Sequence, residues 1–164
     1  MNPELFITKA VEFDIEDFTN IKAKAYADDR KKSVPVPEEA PKWYYGDWYV
    51  GLDIPNKAEN ERLMKEFECY MISLNGISIG IFWIECEEAD SLTIEDFCIL
   101  PEYQGKGYGK QVLKLIEKLY PKNKRWLLTI PTFCKKNCHL YEKSGFHNIG
   151  LVSDDSVVLY EKIL

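Results

Sequence analysis

The chain has 164 residues, 46% apolar and 29% charged, which is one domain's worth of globular protein with a single substantial core. Its net charge of −6 argues against a nucleic-acid surface, and no apolar stretch approaches the roughly 20 residues that cross a bilayer. Acids at Glu4, Glu12 and Asp14 do not fit the basic-then-apolar layout of a signal peptide, so a cytoplasmic location is expected.

In chain order, the pattern predicts a strand over Leu5–Lys9 and then a helix from Ile15 towards Tyr26. Glu16 and Asp17 sit in its first turn, where the helix dipole favours acids. Prolines at 35, 37 and 41 break regular structure, and five aromatics follow: Trp43, Tyr44, Tyr45, Trp48 and Tyr49. A short helix is expected over 60–65 and a strand over 66–74. Asn75-Gly76, a strong hairpin signal, joins that strand to another over 77–86.

A polar turn over 87–91 leads into a strand carrying Leu92, Ile94, Phe97 and Ile99, which stops at Pro101. Gly105, Gly107 and Gly109 come next, and beyond them Val112, Leu115, Ile116 and Leu119 recur at helical spacing up to Pro121. A strand over 125–130, a helix over 135–144 and strands over 146–152 and 156–163 complete the chain, with Asp154-Asp155 as the last turn. An antiparallel meander leading into a βαβ crossover gives a mixed α/β fold, a mostly antiparallel sheet flanked by helices, in one domain over 1–164.

The glycines therefore lie where a strand turns into a helix. There the first helical amides have no internal partner, and together with the positive end of the dipole they make an anion site. Lys106 and Lys110 add charge beside it. A P-loop is excluded, because Lys110 occupies the place of its second glycine, and the dinucleotide pattern fails at the same residue. What remains is Gln-x-x-Gly-x-Gly, carried by Gln104, Gly107 and Gly109.

This pattern resembles the acyl-coenzyme A signature of the GNAT superfamily of N-acetyltransferases. A second segment, Leu140-Tyr141-Glu142-Lys143-Ser144-Gly145-Phe146, is similar to the end of that family's later helix. The resemblance implies a GNAT fold of six or seven strands and acetyl-CoA as co-substrate. It places pyrophosphate contacts on Gln104, Gly105, Lys106, Gly107, Tyr108, Gly109 and Lys110. Pantetheine and acetyl contacts fall on the main chain of Cys98, Ile99 and Leu100. Where the family often has Asn seven residues before the tyrosine this chain has Cys134, and Asn137 one turn later is the substitute donor. Tyr141 matches the general acid that protonates the departing thiolate.

A general base is needed as well, because presenting an alkylammonium neutral at pH 7 costs about 4–5 kcal/mol. Glu95 and Asp96 are the candidates, expected on opposite strand faces. Glu95 is preferred because it shares a face with Thr93, where some family members carry a base. Thr129, where other members have glutamate, cannot serve.

The acceptor expected is the primary amine of a small molecule, such as a polyamine or an aminoglycoside-like compound. Trp43, Tyr44 and Trp48 are the residues that would contact it. A cover over the core, or a contact between two copies in a homodimer, are the other roles open to that cluster. A protein or peptide amine, and a module that binds acyl-CoA without transfer, are the alternative functions. Cys69, Cys86 and Cys98 lie in strand-like runs and are expected as small buried hydrophobes. Cys134, Cys138 and His139 lack the spacing of a zinc site, and no metal is expected.

Overall fold

A computed structural model describes residues 2–32, 52–132, 134–152 and 157–164. Strand β1 (Leu5–Lys9) leads through a single 3-10 turn into helix α1 (Ile15–Lys32). Helix α2 (Lys57–Glu66) follows, then the meander β2 (Glu68–Leu74), β3 (Ile77–Glu88) and β4 (Ser91–Ile99). Helix α3 (Tyr108–Leu119), β5 (Arg125–Pro131), α4 (Lys135–Lys143), β6 (His147–Val152) and β7 (Val157–Ile163) complete it. The seven strands form one sheet in the order β1-β2-β3-β4-β5-β7-β6. Pairing is antiparallel throughout except between β4 and β5.

Both early helices are longer than the sequence pattern suggested. Helix α1 runs six residues past Tyr26, since no glycine or proline intervenes, and it ends on Arg30, Lys31 and Lys32, cations that suit a helix C-terminus. Helix α2 begins three residues before Asn60 because Asn56 caps it, its side chain accepting from the Glu59 amide at 3.1 Å. The Asn75-Gly76 turn has positive φ at both residues, +50° and +81°, the type I′ form that matches strand twist. The aromatic cluster at 43–49 and the Asp154-Asp155 turn lie outside the described residues.

Strand alternation divides the core in two. Tyr70, Ile72, Phe82 and Ile84 pack towards α3 and α4, against Val112, Leu113 and Ile116. Cys69, Met71 and Ile81 pack towards α1 and α2, against Phe18, Ile21 and Leu63. On α3 the buried stripe is centred on Val112, Leu113 and Ile116, which leaves Leu119 42% exposed at the helix end. Cys69 is buried as expected, but Cys86 is exposed. Register with β2 ends at Glu68–Ile84, so β3 runs on past that neighbour and, among the described residues, β2 does not flank Cys86.

Candidate active site

One irregularity creates the cleft. β4 and β5 pair over three residues, from Ser91–Arg125 to Thr93–Leu127, and then part. Just beyond, Ile81 pairs with Cys98 and Trp83 with Glu95, so Asp96 and Phe97 together face Phe82 alone. This is a β-bulge, which bends its strand and raises the local twist. Asp96 adopts φ +48°, a conformation that non-glycine residues enter at a cost. Three donors hold it there: Lys22 Nζ at 2.6 Å, Tyr26 Oη at 2.5 Å and Trp83 Nε1 at 2.8 Å.

The bulge also overturns an expectation about β4. Glu95 and Asp96 do not point to opposite faces, because the inserted residue cancels the alternation. Ile94 packs on the α3 side, so Glu95 turns towards α1, and Asp96 reaches Lys22 and Tyr26 of that same helix. The two carboxylates therefore interact. Glu95, half-buried, is pushed up to about 7 by desolvation first and then by Asp96, Glu85 and Glu87, with Lys22 opposing. Asp96 goes the other way: Lys22, Tyr26 and Trp83 outweigh its burial and hold it below the usual carboxylate range.

Past the bulge, β4 returns to a regular ladder. Leu100 N–H donates to the Ile79 carbonyl at 2.7 Å, and its own carbonyl accepts from Tyr103 N–H at 2.9 Å. Its side chain is buried in the α1-side core. Leu100 is thus fully committed and offers nothing to a pantetheine arm. Antiparallel ladders alternate, so Cys98 also spends its main chain on β3, while the N–H and C=O of Ile99 turn to the gap that β5 has left. Of the three expected main-chain contacts, Ile99 is the one aimed into the cleft. Its carbonyl accepts from Gln104 Nε2 at 2.7 Å, which ties the loop to the strand end, and Lys32 Nζ reaches Gln104 Oε1 at 3.3 Å.

Gly105 (φ +71°) and Gly107 (φ +83°) curl the chain into α3, and a Cβ on either would meet nothing within 4 Å. They border open space. Gly109 instead fits closely against Leu140, whose Cδ2 would lie 3.2 Å from a Cβ there. Among the described residues, no backbone amide from Gly105 to Lys110 donates to an internal acceptor, and the first turn of α3 holds no acid. A diphosphate fits this chemistry: unclaimed donors, a helix N-terminus and room on the glycine side. Tyr108 contributes its amide while its ring packs on the core. The Lys106 ammonium lies 5.6 Å from the centre of the Tyr103 ring.

A cavity of about 280 Å³ runs from this loop along β4, walled by Asn137 and Tyr141 of α4. A second, of about 90 Å³, lies in the gap between β4 and β5 and is lined by Glu95, Asp96 and Thr129. Asp29, Phe97, Cys98 and Tyr141 border both. Tyr141 is therefore the partition between a phosphate-binding side and a carboxylate-lined side. It is held by a Schellman turn: Phe146 N–H donates to the Tyr141 carbonyl at 3.0 Å and Gly145 N–H to that of Glu142 at 3.1 Å, with Gly145 at φ +92°. The Phe146 ring packs edge-on against Tyr141 at 5.9 Å. Burial pushes the Tyr141 phenol and the Cys98 thiol well above their ordinary values.

The sequence reading missed the contribution of α1. Lys22, Tyr26 and Asp29 fall at i, i+4 and i+7, one helix face, between the buried Phe18, Ile21 and Ala25. Polar residues on an apolar face were the available signal. Trp43, Tyr44 and Trp48 lie outside the described residues. Cys134, Cys138 and His139 sit on or beside α4, and among the described residues no three His, Cys, Asp or Glu side chains gather as metal ligands. No described helix is long and apolar enough to cross a membrane.

Comparison with known proteins gives the family. The model of the acetyltransferase (GNAT) domain family matches residues 65–148. A Bacillus subtilis (strain 168) protein, YrkN, is 38% identical over 159 residues, covering 93% of this chain and 78% of that one. The PaiA N-acetyltransferase from Thermoplasma acidophilum, solved in complex with coenzyme A, matches with a TM-score of 0.74 at 19% identity, over 98% of this chain and 99% of that one. A GNAT family acetyltransferase from Streptococcus agalactiae matches with a TM-score of 0.77 at 15% identity, over 98% and 95% of the two chains. The chain therefore has an acetyltransferase fold and belongs to the GNAT family of acetyltransferases.

Proposed function

We propose that this GNAT acetyltransferase moves the acetyl group of acetyl-CoA onto the primary amine of a small molecule, by direct attack in a ternary complex. The observation that carries the reading is the pair of cavities meeting at Cys98 and Tyr141, one beneath the phosphate-binding loop and one lined by Glu95. An amine on the carboxylate side faces a thioester on the other without a covalent enzyme intermediate.

The acceptor ammonium gives its proton to Glu95, whose pKa of about 7 suits a base working near neutral pH. The amine nitrogen bonds to the carbonyl carbon, and the Ile99 N–H faces the oxygen that gains charge. The carbon–sulfur bond breaks, and the thiolate takes the Tyr141 phenolic proton. A phenol raised by burial remains a competent acid here, because desolvation penalises a thiolate released beside it in the same direction. Burial, with Asp96 adding repulsion, raises the Cys98 thiol on the same partition in the same direction as the phenol. The nitrogen loses its second proton as the amide forms, and that proton passes through solvent to the phenolate, so amide, thiol and phenol all end neutral while Glu95 holds the first proton.

Thiol release from acetyl-CoA across polyamines, aminoglycosides and peptides tests the reading. Turnover with small amines, reduced about 10²-fold or more in Glu95→Gln, is the expected result. Turnover confined to peptides would move the enzyme to protein acetylation. Coenzyme binding with no transfer to any acceptor would leave a binding module.

A further inference from the structure

Of Asp29, Phe97, Cys98 and Tyr141, the residues that border both cavities, Asp29 alone carries a carboxylate, and the transfer described above gives it no part. Glu95 and Asp96 line the acceptor cavity but not the coenzyme cavity. Asp29 is thus the acid that stands where the amine and the thioester meet.

Its place follows from the anchoring of α1. Lys22 and Tyr26 are fixed to Asp96 at the bulge. Asp29 is the next residue on that helix face, about 4.5 Å further along the axis. β4 meanwhile continues from Asp96 into Phe97 and Cys98, so helix and strand bring the carboxylate to the point where the gap opens. Burial raises the Asp29 carboxyl above its ordinary value against the pull of Lys32, with Asp28 adding to the rise and Lys136 opposing it. After burial, Asp29 is the strongest influence raising the Tyr141 phenol, so carboxylate and phenol are electrostatic neighbours.

Making an amide from an ammonium takes two protons off nitrogen. The first leaves before attack, to Glu95. The second leaves from the tetrahedral adduct, whose nitrogen is positively charged and more acidic than the free ammonium, and it leaves at the junction of the two cavities. We propose that Asp29 is a catalytic residue that takes this second proton. The N–H bond of the adduct breaks and an O–H bond forms on Asp29. The oxyanion re-forms the carbonyl and expels the thiolate, which takes the Tyr141 proton. Asp29 then gives up its proton, which reaches the phenolate through solvent, and both groups are restored. The inference rests on the transfer reading above and adds the first stop on the second proton's path.

Two acceptors separate the two protons. A primary alkylamine arrives as an ammonium and loses both, whereas methoxyamine is already neutral at pH 7 and loses only the second. With the alkylamine that turns over best, Glu95→Gln and Asp29→Asn should each lower kcat by about 10²-fold. With methoxyamine, Glu95→Gln should come within about threefold of the parent while Asp29→Asn keeps a deficit of about tenfold or more. Asp29→Ala, which keeps α1 because alanine is the better helix former, should regain part of its rate when formate is added. Circular dichroism checks that the variants fold, and formate rescue decides alone where methoxyamine is not accepted.

An unchanged kcat in Asp29→Asn would overturn the assignment and leave the transfer reading standing. So would a loss confined to KM, a loss that methoxyamine relieves as fully as it does in Glu95→Gln, or an Asp29→Ala enzyme deaf to formate. If the parent transfers to no amine at all, the transfer reading itself fails.

Discussion

Lys22 Nζ lies 2.6 Å from Asp96 Oδ2, and this ion pair pins the bulge that separates β4 from β5. Lys22 keeps only 9% of its side chain exposed and Asp96 16%, so each charge depends on the other. The strained φ of Asp96 persists because donors on α1 and β3 converge on its carboxylate. The same pair thus joins helix α1 to the width of the catalytic gap.

Replacing Lys22 by Met should therefore cost about 3–5 kcal/mol, since it strands a buried carboxylate. Adding Asp96→Asn should recover much of that loss. Asn tolerates the left-handed region, and with its oxygen in the place of Asp96 Oδ2 it accepts from Trp83 while its NH2 donates to the Tyr26 hydroxyl oxygen. Urea denaturation of the two single variants and the double variant checks this. Independent, additive losses would show that the pair is not coupled.

Glu95 and Asp96 make opposite contributions to stability as pH changes. Glu95 rises from 4.5 to about 7 on folding, so between those values the folded state holds the extra proton and stability falls as pH rises. The loss is about 3 kcal/mol at most. Asp96 is lowered, so its contribution is present above the unfolded carboxylate value of 3.8 and is lost as pH falls below it. Glu95→Gln should be more stable than the parent above pH 7, with the difference vanishing near pH 4.5. Transfer should climb with pH through about 7 in the parent and lose that inflection in the variant. Urea midpoints and pH–rate profiles on both proteins read the two effects separately.

The architecture was legible where chemistry is local. Asn75-Gly76 announces its own turn, and Gly145 with Phe146 spells a Schellman ending because those groups lie within six residues of Tyr141. The glycine corner was readable for the same reason. The bulge was not, because nothing in Glu95-Asp96-Phe97 requires an extra residue. It exists through Lys22 and Tyr26, about seventy residues away in sequence. Leu100 shows the same limit: strand periodicity cannot tell which main-chain groups face β3 and which face the gap. Helix α1 runs past Tyr26 because no glycine or proline interrupts it, and the cations Arg30, Lys31 and Lys32 in its last turn are a weaker mark of a helix end than either breaker.

Tyr141→Phe keeps the ring that packs on Phe97 and Phe146 and removes the hydroxyl. Coenzyme affinity should change little, while turnover falls by about 10²-fold or more, the scale of a lost general acid. The residual rate should depend on the leaving group, with more acidic thiols less impaired. Equal impairment across leaving groups, or unchanged turnover with acetyl-CoA, would remove Tyr141 from proton transfer and leave it a packing residue.

Two glycines separate binding from folding. Gly107 lies at φ +83° with nothing within 4 Å of a Cβ, so Gly107→Ala should lose only about 1–2 kcal/mol from backbone strain. Its methyl group projects into the space where the diphosphate would sit, and coenzyme affinity should fall by about tenfold or more. At Gly80 a Cβ would lie 2.5 Å from the Cys98 carbonyl oxygen and 3.0 Å from Ile72 Cδ1. Backbone cannot step aside as a flexible side chain can. Gly80→Ala should accordingly push β3 from β4 beside the bulge and destabilise the fold by more than Gly107→Ala does. Thermal unfolding ranks the two variants by stability, and calorimetry with coenzyme A ranks them by binding. A Gly107→Ala protein that binds normally would show that the open side of the loop is not where the phosphates rest.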